Sequence, residues 1–299
     1  MDHIIIALPN DPELAAWIGK KGSENGITFY DRTADGTSIV VLTPTDLQDK
    51  FYAIAEILTL ANVVLISTKS VNSIFGEALI GASLLGKKAI FSDENNVDQI
   101  IRTAGLASFE YTDRATLFEK MKSASAYAAA SLKDKELLIN IDKSFPVKGV
   151  GTVLLGIVEQ GTVRVHDKLY LGNGKELLVR SIQVQDQDVE SAEPGARVGL
   201  AIKGAEDKEV EKGAILARKP IGYQKSFDAE ITLSSITKNQ PVEGLYTLVS
   251  NFSVTMCKIS KEGVAFRVET EKEICMQKGA RFLLIRSPAP RIFASGTIK

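Results

Sequence analysis

The stretch that most constrains this chain runs from Phe145 to Val153, Phe-Pro-Val-Lys-Gly-Val-Gly-Thr-Val. Apolar and polar residues alternate around Gly149 and Gly151, while the β-branched Val150, Thr152 and Val153 favour extended backbone. The segment therefore reads as the opening strand of a small barrel, bent or closely approached at its glycines. Turn signals follow at Glu159-Gln160-Gly161, at His166-Asp167 and at Asn173-Gly174. The last is a type I′ hairpin dipeptide between Leu169-Tyr170-Leu171 and Leu177-Leu178-Val179. His166 reads as a solvated turn residue tolerating a positive φ. Strands spaced this closely imply an all-β barrel or sandwich.

Several segments then agree in order: Ile141-Asp142-Lys143-Ser144-Phe145, Lys148 to Val153, Val179-Arg180-Ser181-Ile182-Gln183, Ala192 to Leu200 and Gly213 to Ala217. Together they resemble the second domain of EF-Tu-type translational GTPases. Asp142 and Gln183 bring the likeness nearest the SelB branch, the selenocysteine-specific elongation factors, and within it an archaeal SelB-like paralogue. The resemblance implies an aminoacyl-tRNA pocket at Asp142, Lys143 and Arg197. A carboxylate there could hold the α-amino group of an aminoacyl ester while cations take a terminal phosphate or a polar side chain. Lys143 stands where SelB carries Arg, and an ammonium cannot reproduce a planar bidentate fork, so the amino acid recognised need not be selenocysteine. The alternative is that Asp142 and Arg197 form an ordinary surface ion pair.

Residues 1–131 read differently. A continuous apolar run, Ile4 to Ala7, is followed by a helix over Glu13 to Lys20. Extended segments at Thr37 to Leu42, Val63 to Ser67 and Lys88 to Phe91 alternate with helices at Leu47 to Leu60, Ile74 to Leu85, Val97 to Ala104 and Ala115 to Ala130. Such alternation implies a mostly parallel α/β sheet covered on both faces, G-domain-like and of the P-loop NTPase type. The family's GTP and magnesium would be expected here, but the residues that bind them are missing. A Walker A loop needs glycines to wrap the phosphates, a Lys to neutralise them and a Ser or Thr for magnesium. This chain has Pro9, Asn10, Asp11, Pro12 and Glu13, which remove amide donors and add negative charge. Thr28 resembles a switch threonine, or is simply a strand residue; Asp93 alone matches the guanine-reading motif and otherwise fits a helix cap. Gly81 to Lys88 mimics Walker spacing in the wrong context, with Gly86 a helix C-cap and Lys87 a residue favoured beside a helix C-terminus. Pro9, Asn10, Asp11, Glu13, Thr28 and Asp93 are thus a vestigial nucleotide site, with no catalytic residue, cofactor or metal expected.

A hinge near Lys133-Asp134-Lys135-Glu136 separates this domain from the barrel at 132–219, and residues 220–299 resemble the third EF-Tu domain, a second β-barrel. Strands are expected at Phe227 to Leu233, Val264 to Val268, Arg281 to Arg286 and Arg291 to Ile298. Lys148, Lys258, Lys261, Arg267, Lys278 and Arg281 are either phosphate contacts or solvated charges. Charge is silent on partners, because 36 Lys+Arg offset 37 Asp+Glu. Two cysteines, Cys257 and Cys275, suit a reducing compartment, and no basic leader or long apolar run is present, so a cytoplasmic protein is expected with no membrane or DNA partner. The resulting expectation is a SelB-like factor that binds a specialised aminoacyl-tRNA, with the ribosome a further partner and GTP binding and hydrolysis lost or weak. The alternatives are a protein-binding regulator on the same scaffold and a GTPase with an atypical phosphate loop.

Overall fold

Ile4, Ile5 and Ile6 lie in the central strand of a mixed sheet in the computed structural model, which describes residues 2–46, 51–93, 95–263 and 265–299. The sheet comprises β1 (Asp2–Ala7), β2 (Lys20–Glu24), β3 (Ile27–Ala34), β4 (Thr37–Pro44), β5 (Val63–Ser67), β6 (Lys88–Ser92) and β7 (Glu110–Thr112), in the order β2-β3-β4-β1-β5-β6-β7. From β4 through β7 the strands are parallel. Side chains of β4, β1, β5 and β6 are buried on both faces because α1 (Pro12–Ile18) and α5 (Leu117–Lys133) cover one side, and α2 (Phe51–Leu60), α3 (Ser73–Leu84) and α4 (Asp98–Thr103) the other. The expected helix start at Leu47 and strand start at Val264 lie outside the described residues.

The sheet is mostly parallel, as expected, with an antiparallel hairpin at one edge, where β2 pairs with β3 and β3 with β4. One correction concerns this domain. Asp93 does not cap a helix; it stands in a left-handed turn at φ 63°, and Val97 occupies the cap position of α4. The Walker-like decoy is a helix end, where Gly86 adopts φ 60° and the Lys87 N–H reaches back to the Ala82 carbonyl at 2.9 Å.

The first barrel contains β8 (Leu138–Val147), β9 (Gly151–Gln160), β10 (Val163–Arg164), β11 (Lys168–Tyr170), β12 (Glu176–Val184), β13 (Gln187–Val189), β14 (Ser191–Ala192), β15 (Arg197–Lys203) and β16 (Ile215–Ala217). The ring β11-β16-β8-β9-β15-β12 closes because β11 also pairs with β12. Gly156 is required at the bend, since a Cβ there would lie 2.6 Å from the Asn140 carbonyl oxygen. His166 takes φ 69° in its turn. The second closed barrel runs β17 (Gln224–Leu233), β20 (Ala265–Ile274), β19 (Ser253–Glu262), β18 (Gly244–Ser250), β21 (Arg281–Ile285) and β22 (Ile292–Ile298).

The three units are bound together through their cores. Leu283, Ile285 and Ile292 of the second barrel join the hydrophobic cluster formed by α2 and α3. The buried Glu77 carboxylate of α3 accepts the backbone N–H groups of Arg291 at 2.5 Å and Ile292 at 2.7 Å. On the other side, Gln185 in the β12–β13 turn donates to Ser38 Oγ at 2.8 Å and to the Arg32 carbonyl at 3.3 Å. No helix among the described residues is long and apolar enough to cross a membrane.

Candidate functional site

A cleft of about 760 Å³ opens between the β2–β3 hairpin and the face of the first barrel. Lys20, Lys21 and Ser23 form its roof, Phe145, Val153 and Leu155 its floor, and Arg197 its inner end. The position of Asp142 follows from a bulge. Ile141 opposes Gly156 and Lys143 opposes the next residue, Leu155, so Asp142 is extra in the ladder. The bulge turns Asp142 inward, where it is 2% exposed, and leaves Lys143 exposed to solvent.

Arg197, at the start of β15, meets it. Its guanidinium lies 3.4 Å from the centroid of Phe29, donates to Ser23 Oγ at 2.5 Å and brings Nη2 within 3.9 Å of Asp142 Oδ2. That last distance is an ion pair but too long for a hydrogen bond. Among the described residues Asp142 Oδ1, Asp142 Oδ2 and Arg197 Nη1 have no hydrogen-bond partner, although all are buried. The Asn25 amide approaches Asp142 closely enough to favour its ionised form, without the geometry of a hydrogen bond. Burial raises the Asp142 carboxyl above its ordinary range, against the opposing pull of Arg197, Lys212 and Lys143. Asp31 is raised for the same reason, again opposed by Arg197. An acid and a base are thus held near each other, each short of a partner.

Of the three expected pocket residues, Asp142 and Arg197 are brought together and Lys143 lies outside, within electrostatic range. Ser23, Asn25, Phe29 and Asp31 were not anticipated. The Asn25-Gly26 dipeptide, with Gly26 at φ 74°, is the hairpin signal that could have found them.

Of the residues expected of a vestigial nucleotide site, Pro9, Asn10 and Asp11 follow the carboxyl end of β1, where Asn10 meets the end of β5, while Thr28 lies in β3 and Asp93 follows β6. Leu8 to Asp11 alone connect β1 to α1. Pro9 is buried, and the Asn10 side chain clips the two strand ends together, donating to the Ser67 carbonyl at 2.6 Å and accepting the Ser67 N–H at 3.0 Å. Asp11 caps α1 by accepting the Leu14 N–H at 2.8 Å and pairs with Lys69 at 3.3 Å. Glu13 is exposed in the first turn of α1, and Thr28 in β3 bonds the Thr45 hydroxyl at 2.9 Å. Asn10, Asp11 and Thr28 are thus each engaged by neighbouring residues of the sheet domain.

The candidate phosphate contacts are scattered. Lys148 is exposed in the β8–β9 turn, and Lys258 and Lys261 are exposed on β19. Arg267 pairs with Asp228 at 3.0 Å. Lys278 is exposed before β21, whereas the Arg281 guanidinium donates to the Leu84 and Leu85 carbonyls and so serves the seam between the sheet domain and the second barrel.

Comparison with known proteins agrees with this architecture. Residues 151–217 match the family model for elongation factor Tu domain 2. The chain is 28% identical over 293 residues to an uncharacterized protein of Methanocaldococcus jannaschii, spanning 94% of each. It is 44% identical over 81 residues to the selenocysteine-specific elongation factor of the same organism, which covers 27% of this chain but only 17% of that protein. Among solved structures, translation elongation factor SelB of Methanococcus maripaludis in complex with the GTP analogue GppNHp superposes with a TM-score of 0.80 at 18% identity, covering 100% of this chain and 79% of that one.

Proposed function

We propose that this chain, whose architecture is that of the SelB-like, EF-Tu-type elongation factors, binds the aminoacyl end of a charged tRNA in the cleft between its β2–β3 hairpin and its first barrel, and does so without a GTP switch. The observation that carries the reading is the Asp142–Arg197 couple, a buried carboxylate and a largely covered guanidinium 3.9 Å apart that share three buried polar atoms without hydrogen-bond partners. Leaving such groups unsatisfied costs about 1–3 kcal/mol each. An α-amino ester supplies what both lack: an ammonium that donates to Asp142 and a carbonyl oxygen that accepts from Arg197 Nη1. Apolar Phe145, Val153 and Leu155 then offer a floor for the base or side chain beyond.

The residues at the β1–β5 crevice do not fit a guanine nucleotide. Asn10 already occupies the strand ends, Asp11 and Glu13 repel phosphate, and Leu8 to Asp11 are too few to wrap one. Calorimetric titration of GTP or GDP with magnesium is expected to show no saturable heat; low-micromolar binding would remove this part of the reading. The aminoacyl part is tested by filter binding of charged against uncharged tRNA over a salt series. Preference for the charged form, with a linear log–log salt slope from backbone phosphates, is the expected result. Equal affinity for both forms would sink it.

A further inference from the structure

Where the sheet domain and both barrels meet, a second cavity of about 690 Å³ lies apart from the Asp142–Arg197 cleft. The carboxyl ends of α2, α3 and α5 border it through Thr59, Leu85 and Leu132. Helix C-termini carry unpaired carbonyls and partial negative charge, which cations satisfy. Two cations do so here. Lys87 Nζ donates to the Ala61 carbonyl at 2.6 Å and approaches that of Thr59 at 3.4 Å, while Arg281 caps α3.

Two further cations, Lys135 and Lys278, line the rim, exposed and with no ion pair among the described residues. Against these four stand two carboxylates. Glu159 is held by the Asn140 amide at 2.7 Å and the Asn251 amide at 3.1 Å, and Glu136 pairs with Lys219 at 3.7 Å. By formal side-chain charge the lining is therefore net positive, in a chain whose overall formal charge is −1. Lys87 is half-sunk among these groups: burial pulls its ammonium down to about 8, against the opposing pull of Glu159 and with a smaller contribution from Arg281.

We propose that this three-domain junction binds a small phosphate-bearing anion of the pyrophosphate type, held by the ammonium groups of Lys135, Lys278 and Lys87. The volume, about 690 Å³, is that of a small-molecule site. An anion seated there touches all three units at once, so it stabilises their mutual arrangement by mass action. This site shares no residue with the aminoacyl cleft and does not depend on that reading.

The test is titration of sodium pyrophosphate into the full chain at pH 8, with ionic strength matched by sodium chloride and buffers of differing ionisation heat. Saturable binding with proton uptake is expected, because an anion beside Lys87 restores its proton. The melting midpoint should rise by about 5 °C at a hundredfold excess over Kd, an effect that sodium chloride does not reproduce. The double variant Lys135→Ala/Lys278→Ala alters only exposed side chains; it should melt normally without ligand, bind pyrophosphate at least tenfold more weakly and keep its preference for charged tRNA. Absence of saturable binding, equal affinity in the variant, or an equal shift with sodium chloride overturns the proposal. If the variant instead loses tRNA affinity while the parent chain ignores pyrophosphate, the two lysines contact RNA backbone phosphates and the small-anion site is refuted.

Discussion

Replacing Asp142 by Asn should make the ligand-free protein more stable while weakening its binding of charged tRNA. The carboxylate is 2% exposed, neither oxygen has a hydrogen-bond partner among the described residues, and Arg197 Nη2 is 3.9 Å away. At an effective dielectric constant of 20 that distance corresponds to roughly 4 kcal/mol of attraction, against a desolvation cost of several kcal/mol for each ion. Desolvation wins, since the Asp142 carboxyl is raised despite three nearby cations. The folded state therefore binds more protons than the unfolded state between the ordinary aspartate range and the raised value. Stability falls as pH rises through that window, and the penalty is fully present above it. Asn keeps the shape and removes the charge, and Arg197 retains Asp31 as a neighbouring anion. A gain of about 1–2 kcal/mol is expected at neutral pH, or roughly 2–4 °C in melting midpoint. Binding should move the other way, because losing a charge-assisted hydrogen bond worth about 1.5–3 kcal/mol weakens charged tRNA by roughly 10- to 150-fold and leaves uncharged tRNA unchanged. Melting curves and filter binding on one preparation read both effects. A variant that melts lower and still discriminates charged from uncharged tRNA would show the couple to be an ordinary structural ion pair.

Glu77→Ala leaves the Arg291 and Ile292 N–H groups buried without an acceptor, so a loss of about 3 kcal/mol is expected in urea denaturation; a loss below about 1 kcal/mol would mean that this seam contributes little. Asn10→Ala removes both hydrogen bonds of the β1–β5 clip and should cost about 1–3 kcal/mol without creating GTP affinity, as melting and calorimetry would report. Lys87 gives an alkaline signature. Its value of about 8 lies below that of the unfolded chain, so the unfolded state holds the extra proton, and stability rises as pH climbs from about 8 towards 10. Denaturation midpoints measured across that range should show the slope in the parent chain and a flatter profile in Lys87→Met.

The first barrel was legible because its turns announce themselves: Asn173-Gly174 and Gly161 sit between β-branched runs, and Gly174 and Gly161 indeed take positive φ. The β18–β19 hairpin was not, since Leu245, Val254 and Met256 on its outer face are as apolar as Tyr246, Leu248, Cys257 and Ile259 within, which blurs the period of two. The edge strand β2 escaped for the opposite reason, because Lys-Lys-Gly-Ser-Glu carries no apolar face at all. Half of the candidate site could be read from residue types alone. Asp142 and Arg197 converge because β9 pairs with both β8 and β15, and Ile157 stands opposite Asn140 on one side and Arg197 on the other. Strand alternation could not say that Asp142 faces inward, because the bulge between Ile141 and Lys143 breaks the alternation at that residue. The Asn25-Gly26 turn marks the hairpin, but no local pattern says that its Ser23 and Phe29 reach Arg197, which they do only through docking of the sheet domain on the barrel. Burial of the acid, and with it the raised pKa and the unpartnered oxygens on which the proposed ligand site rests, goes with that contact. A factor that formed this roof only when a nucleotide was bound would expose Asp142 in its absence. Here the hairpin lies over the couple through Ser23 and Phe29, both of which meet Arg197.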